Sequence, residues 1–212
     1  MTDFAHMLSG YRRFRETGWQ QQRERWSALS EGQSPGVMII ACSDSRVDPS
    51  QIFDTSPGEI FVVRNVAALV PPYETTPGHH GVSAALEFAV QVLKVGEIVV
   101  MGHGSCGGCK AALTGALKNQ PPGQGGFIAD WIELLDDARA QVVATHGESE
   151  TPEAQRAMEQ EGIRTSLANL RTFPCVQEKE RSGALRLIGA FFAISDGVLH
   201  VLNETTDSFA PA

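Results

Sequence analysis

Apolar positions change period several times along the chain, and the changes predict its elements. Over residues 3–30, Phe4, Met7, Leu8, Tyr11, Phe14, Trp19 and Trp26 recur among charged residues at helical spacing. An amphipathic N-terminal helix follows, an arm covering residues 1–32. Gln33-Ser34-Pro35-Gly36 ends it, and Val37–Ala41 is then apolar at consecutive positions, as suits a strand buried on both faces of a parallel sheet. Ile60–Val63 and Ile98–Met101 repeat that pattern. Between them Val82, Ala85, Leu86, Ala89, Val90 and Leu93 form one stripe of a helix over Gly81–Val95.

Further helices are expected over Gly107–Leu117, 127–146 and 152–171, with a polar linker at 119–126 and a polar bend at His146–Glu150. Leu185–Ile194 and Val198–Leu202, joined by Ser195-Asp196-Gly197, read as a closing hairpin. Strands alternating with helices imply an α/β fold. Its central sheet is mostly parallel, about four parallel strands plus an antiparallel C-terminal strand, and is flanked by helices. The linker leaves too little core-forming sequence on either side to split the chain, so residues 1–212 are expected to form a single domain.

Composition narrows the class. The 212 residues carry 17 Lys+Arg against 25 Asp+Glu, a formal net charge of −8. That lacks the basic footprint of a nucleic-acid partner. The most apolar stretch, Leu185–Ile194, is interrupted by Arg186 and is shorter than the roughly 20 residues of a membrane span, so no membrane partner is expected. Met1–Glu16 is charged throughout, unlike a secretory signal, and a cytoplasmic location is expected. There Cys42, Cys106, Cys109 and Cys175 would be reduced thiols, and clustered thiols point to metal or catalysis before disulfides.

Cys42 directly follows one apolar run, and His103-Gly104-Ser105-Cys106 follows another. Ligands in open α/β sheets gather at the carboxyl ends of strands, where this topology collects all three side chains. Thiolate and imidazole suit zinc, and three protein ligands leave the fourth position that catalysis needs. Taken singly, each residue also fits a plainer role, a cysteine as a small buried hydrophobe and a histidine as a hydrogen-bonded side chain. Cys109 allows three readings: a redox partner for Cys106, the fourth ligand of a closed Cys₃His structural site, or a small residue packing the first turn of a helix, which is preferred. Asp44 and Arg46 favour catalysis. The carboxylate accepts a hydrogen bond from metal-bound water, and the guanidinium holds it ionised through a bidentate pair. The competing role for Asp44 is a cap on the helix starting near Pro49.

Cys42-Ser43-Asp44-Ser45-Arg46 with His103-Gly-Ser-Cys106-Gly-Gly resembles the β-class carbonic anhydrases, above all the plant-like members. The likeness extends through Pro57-Gly58-Glu59, Arg64-Asn65-Val66-Ala67 and Gly81–Val90. It implies a zinc lyase in which zinc-bound hydroxide attacks carbon dioxide to give bicarbonate and a proton. One zinc per chain would be held by Cys42, His103 and Cys106, with Asp44 and Arg46 catalytic. Gln33, Phe61, Val66, Phe88 and the Gly107 N–H would face the substrate, Phe88 standing where many plant-like members have tyrosine. The resemblance also implies a homodimer clasped by its N-terminal helices, paired in some members into a tetramer. Ile39 stands where bicarbonate-inhibited members have tryptophan, so that inhibition is not expected. His79 and His80 are weak candidates for proton transfer. Relatives on this scaffold hydrolyse carbonyl sulfide or carbon disulfide. Outside enzymes, the alternatives are a zinc-stabilised scaffold with a closed Cys₃His site and, less well supported, a redox protein.

Overall fold

A computed structural model describes residues 2–147 and 150–212. The predicted bend at His146–Glu150 therefore lies partly outside the described residues. The N-terminal helical pattern is cut into three: α1 (Phe4–Glu16), α2 (Gly18–Gln21) and α3 (Arg23–Glu31). The interruptions fall at Thr17 and Gln22, both with non-helical backbone, and Gly18 beside the first has among the lowest helix propensities. None of the three helices buries a residue completely.

β1 (Val37–Cys42), β2 (Ile60–Asn65), β3 (Glu97–His103), β4 (Arg186–Ala193), β5 (Val198–Asn203) and β6 (Ser208–Pro211) form one six-stranded sheet in the order β2-β1-β3-β4-β5-β6. The first four strands are parallel, while β5 and β6 are antiparallel additions. The predicted sheet is thus present with one further antiparallel strand. β6 escapes a sequence reading because Ser208–Pro211 has one large apolar residue, Phe209, and ends in proline. Successive β1 residues face opposite ways and both faces are covered. Met38 and Ile40 pack with Leu86, Val90, Ile163 and Leu167, and Ile39 and Ala41 with Val99, Met101 and Ala190.

The helices between strands are shorter and more broken than the stripes suggest. α5 (Gly81–Glu87) continues as a π-helical turn to Leu93 and stops at Lys94, which is left-handed. α6 (Gly107–Thr114) ends at Gly115. The 127–146 stripe divides into α7 (Gly126–Ile132), a 3₁₀ turn and α8 (Asp136–His146). α9 (Pro152–Leu170) is capped by Thr151, whose side chain accepts the Ala154 N–H. It is followed by α10 (Pro174–Arg181), which is too polar to show as a stripe. α4 (Pro49–Ile52) is a single turn capped by Asp48, not Asp44.

α9 runs close against β3 and β4. A Cβ on Gly102 would lie 2.8 Å from Ile163, and one on Gly189 would lie 2.9 Å from the same side chain. That approach brings the N-terminal half of α9 beneath the carboxyl end of β3.

Candidate metal centre

β1 and β3 are neighbours in register, so Cys42 at the end of one and His103 at the end of the other meet at one edge of the sheet. Cys106 follows one turn later and immediately precedes α6. The ligand atoms of Cys42, His103 and Cys106 lie within 4.8 Å of one another, and all three residues are buried. His103 is 1% exposed, and its Nδ1 is 2.9 Å from the Gly104 carbonyl, which fixes Nδ1 as the protonated nitrogen. Nε2 then carries the lone pair, is buried, and has no hydrogen-bond partner. An orphaned imidazole nitrogen aimed at two thiols fits a soft divalent cation such as zinc.

On their own the clustered, buried thiols resist ionisation. The Cys42 thiol is pushed up to about 12, first by its contact with the Cys106 thiol and then by burial. Cys106 also rises to about 12, through its contact with Cys109 and through burial. A dication inverts this, because a coordinated thiol is held deprotonated. Burial opposes charge on His103, but Cys42, the Gly104 carbonyl and Asp44 outweigh it and set its pKa above the ordinary value.

Asp44 is not a helix cap. Its carboxylate takes a bidentate pair from Arg46, Nε to Oδ1 at 2.9 Å and Nη2 to Oδ2 at 2.6 Å, and the Arg46 backbone N–H adds a third bond at 2.9 Å. Arg46 holds the carboxyl far below the usual range. Asp44 Oδ2 stands 4.0 Å from His103 Nε2, so one ionised oxygen borders the ligand trio. Arg46 Nη2 also donates to the Ser105 carbonyl at 3.1 Å, tying the two ligand loops together.

Val66 and Gly107 join this face. Val66 begins a 3₁₀ turn in which Ala67 and Ala68 are left-handed, at φ 65° and 57°. Each non-glycine residue there costs roughly 1–2 kcal/mol. The Asn65 side chain clamps the turn, bonding both the N–H and the carbonyl of Leu69 at 2.8 Å. The first turn of α6 fits against it because Gly108 has no side chain: a Cβ there would lie 2.7 Å from Val66. Nothing lies within 4 Å of where a Gly107 Cβ would be, so this part of the helix N-terminus is open.

Gln33, Phe61 and Phe88 are elsewhere. Phe61 pairs with Met38 and Asn65 with Cys42, so Phe61 lies four residues, about 13 Å, back along β2 from the ligand end. Phe88 packs on it with ring centroids 5.9 Å apart, and Gln33 is exposed before β1 begins. His79 and His80 line an apolar cavity of about 440 Å³ with Asn65, Val66 and Trp131. Cys109 is buried in the first turn of α6, outside the ligand trio.

Three supporting residues have no role assigned from sequence, Arg64 among them although it lies in one of the motifs that carry the likeness. Arg64, in the edge strand β2, binds the Cys42 carbonyl at 2.9 Å, the Asp44 carbonyl at 2.6 Å and Asp48 at 3.2 Å, so it holds the whole 42–48 loop. Trp131 Nε1 donates to the Val66 carbonyl at 2.9 Å. Glu159, on α9, accepts the Cys106 N–H at 2.9 Å. Its signal is a carboxylate within the stripe Met158, Gly162, Ile163, Ser166, Leu167, all of which are buried.

Residues 37–199 match the family model described as carbonic anhydrase. The chain belongs to the carbonic anhydrase family. A carbonic anhydrase of Pseudomonas aeruginosa is 37% identical over 203 residues, covering 96% of this chain and 89% of the relative. Beta carbonic anhydrase 3 of Arabidopsis thaliana is 34% identical, covering 95% and 79%. Among solved structures, the β-carbonic anhydrase CcaA superposes with a TM-score of 0.90 at 30% identity, covering 99% of this chain and 92% of that one. CafA, a β-carbonic anhydrase of Aspergillus fumigatus, gives a TM-score of 0.81 at 28% identity, covering 94% and 90%. This carbonic anhydrase therefore has the β-class fold. No helix among its described residues is long and apolar enough to cross a membrane.

Proposed function

We propose that this β-carbonic anhydrase holds one zinc ion between Cys42, His103 and Cys106 and interconverts carbon dioxide and bicarbonate at that face. The observation that carries the reading is the unpartnered, buried Nε2 of His103 set against two thiols, with an ionised Asp44 beside it. Zinc at such a site supplies Lewis acidity that makes water nucleophilic near neutral pH. Two thiolates and a neutral imidazole already cancel the charge of the dication, so activity should lean alkaline.

The chain's own residues supply orientation. Asp44 Oδ2 accepts the hydrogen bond of the reacting water, and the Arg46 pair keeps that carboxylate off the metal and ionised. Val66 gives apolar carbon dioxide a wall. The Gly107 N–H, in the first turn of α6, has no helical partner of its own and donates to a bicarbonate oxygen. Gln33, Phe61 and Phe88 reach substrate from a second copy of the chain, which accounts for their distance from the ligands within one chain. A homodimer follows, and two relatives from Sordaria macrospora are described as tetrameric. The enzyme is read as one cytoplasmic domain over residues 1–212, its arm covering 1–32.

The relatives named are carbonic anhydrases, which favours carbon dioxide over carbonyl sulfide. Stopped-flow hydration on zinc-replete protein, run beside sulfide release from carbonyl sulfide, tests the reading. Fast hydration with little sulfide release is expected, and the reverse would sink it.

A further inference from the structure

We propose that Glu159 is a positioning residue for the metal centre, aiming Cys106 through a hydrogen bond to its backbone; this rests on the zinc reading above. Glu159 is 3% exposed, and a carboxylate is seldom so buried without a bonded partner. Its Oε1 accepts the Cys106 N–H at 2.9 Å and a hydrogen from Gln155 Nε2, one turn earlier on α9, at 3.1 Å. The second bond fixes the carboxylate, and the first fixes the peptide that leads into Cys106.

The turn 103–106 needs such an anchor. Ser105 is left-handed, at φ 57°, between two proposed ligands. The rest of the turn is pinned: Gly104 N–H donates to the Phe192 carbonyl at 3.0 Å, and Arg46 donates to the Ser105 carbonyl at 3.1 Å. Cys106 is extended, precedes α6, and makes no capping bond with its side chain; its Sγ lies within the ligand trio. The rotation of the 105–106 peptide sets the direction of the Cys106 Cα–Cβ bond, and Glu159 is what holds the N–H of that peptide. Distances at a metal site must be held within a few tenths of an ångström, so this bond governs how well the third ligand fits. An acceptor is enough for the task, and charge is not required.

Glu159 also lines a cavity of about 390 Å³ with Ser105, Gln155 and Arg156. Solvent from that side can enter if the carboxylate is removed, so the fold should survive while the aim of Cys106 is lost.

The test uses full-length zinc-loaded protein and three variants. Glu159→Met refills the space without a strong acceptor, Glu159→Ala empties it, and Glu159→Gln restores an acceptor without charge. The readouts are zinc release to a chromophoric chelator and the thiolate-to-cobalt charge-transfer band of cobalt-substituted protein, with circular dichroism as the fold check. Met and Ala should each release zinc about 10–100-fold faster and shift the band, as loss of an outer-shell partner does, while Gln stays within about threefold of wild type. If one of the apolar variants does not fold, the other carries the comparison. Wild-type release rates and bands in the folded apolar variants would overturn the role of Glu159 and leave the zinc reading standing. A Gln variant as impaired as Met would overturn the hydrogen-bond account. Wild-type protein that takes up neither zinc nor cobalt would overturn both.

Discussion

Cys42, His103 and Cys106 are buried at the ends of two central strands, whereas Phe4 and Met7 on α1 are 71% and 60% exposed. At the candidate metal face, among the described residues, the buried side-chain polar atoms are paired, apart from the His103 Nε2. At the arm the apolar atoms are left in the open. α3 does dock on its own chain: Arg25 binds the Pro57 carbonyl and Glu59, both at 3.1 Å, and Leu29 lies over Gly58. Beyond α3, Phe14 alone among the described residues of the arm has an aromatic neighbour, Trp26, at 6.0 Å. One region is finished within the chain. The other leaves an apolar surface in the open, and Phe88, 42% exposed, shares that condition while Phe61 packs partly on the core.

The sharpest way to break the contrast is to strip the finished side. Cys42→Ser, His103→Ala and Cys106→Ser should each lose zinc and drop hydration to background, because an open three-ligand site has none to spare. Metal content by atomic emission and stopped-flow rates check this, and a variant that keeps both would remove that residue from the ligand set. The unfinished side should fail differently. Deleting residues 1–30 should yield monomers or aggregates in sedimentation velocity, with zinc still bound but hydration largely gone. A truncated, fully active monomer would refute the second-copy reading of Gln33, Phe61 and Phe88.

A smaller effect is expected at Arg46, within the finished side. Arg46→Ala should keep zinc and reduce hydration about 10–100-fold, since Asp44 loses the partner that orients it. The pH dependence follows from the depressed Asp44 pKa. A carboxyl whose folded pKa is depressed stabilises the fold above its unfolded value near 3.9, and that stability disappears as pH falls through the folded value. The Asp44–Arg46 pair is therefore intact across the neutral and alkaline range, and the acid limb of wild-type activity is not its titration. Without Arg46 the Asp44 pKa returns toward 3.9, so acid unfolding should begin at higher pH. Circular dichroism from pH 6 to pH 2 would show it, and coincident acid transitions would refute it.

The same contrast explains what could be read in the sequence. Val37–Ala41 and Ile98–Met101 face apolar neighbours on both sides, so their composition alone marks them as central strands, and a strand end places Cys42 and His103 together. The side chains proposed as catalytic were legible because their chemistry is local: Asp44 and Arg46 lie two residues apart and bond each other. Glu159 lies 53 residues from Cys106 in sequence, and only the close crossing of α9 over Gly102 joins them. The arm reads as one helix because periodicity continues across Thr17 and Gln22, where the backbone does not. β6 has no pattern of its own and forms by pairing with β5.

The smallest expected effect separates two cysteines three residues apart. Cys106 sits at the N-cap of α6 and Cys109 in its first turn; both are buried, at 2% and 3% exposure, and the Cys109 thiol is the first cause of the raised Cys106 pKa. Only Cys106 belongs to the ligand trio. Cys109 sits among Leu113, Leu135 and Met158 in the core under α6, near the backbone of Gly162. Cys109→Ala removes one buried sulfur and leaves a small void, which should cost about 1 kcal/mol and lower Tm by about 2–4 °C. Zinc should stay at one per chain, and hydration should remain within about twofold of wild type, because no ligand and no substrate contact is lost. The outcome separates three chemistries. In a closed Cys₃His site the substitution would weaken metal binding and change the cobalt spectrum from that of three sulfurs to that of two. In a redox pair it would abolish sensitivity to oxidising disulfides while leaving zinc in place. As a packing residue it does neither, and metal analysis, a challenge with an oxidising disulfide and a melting curve on the same preparation together distinguish all three.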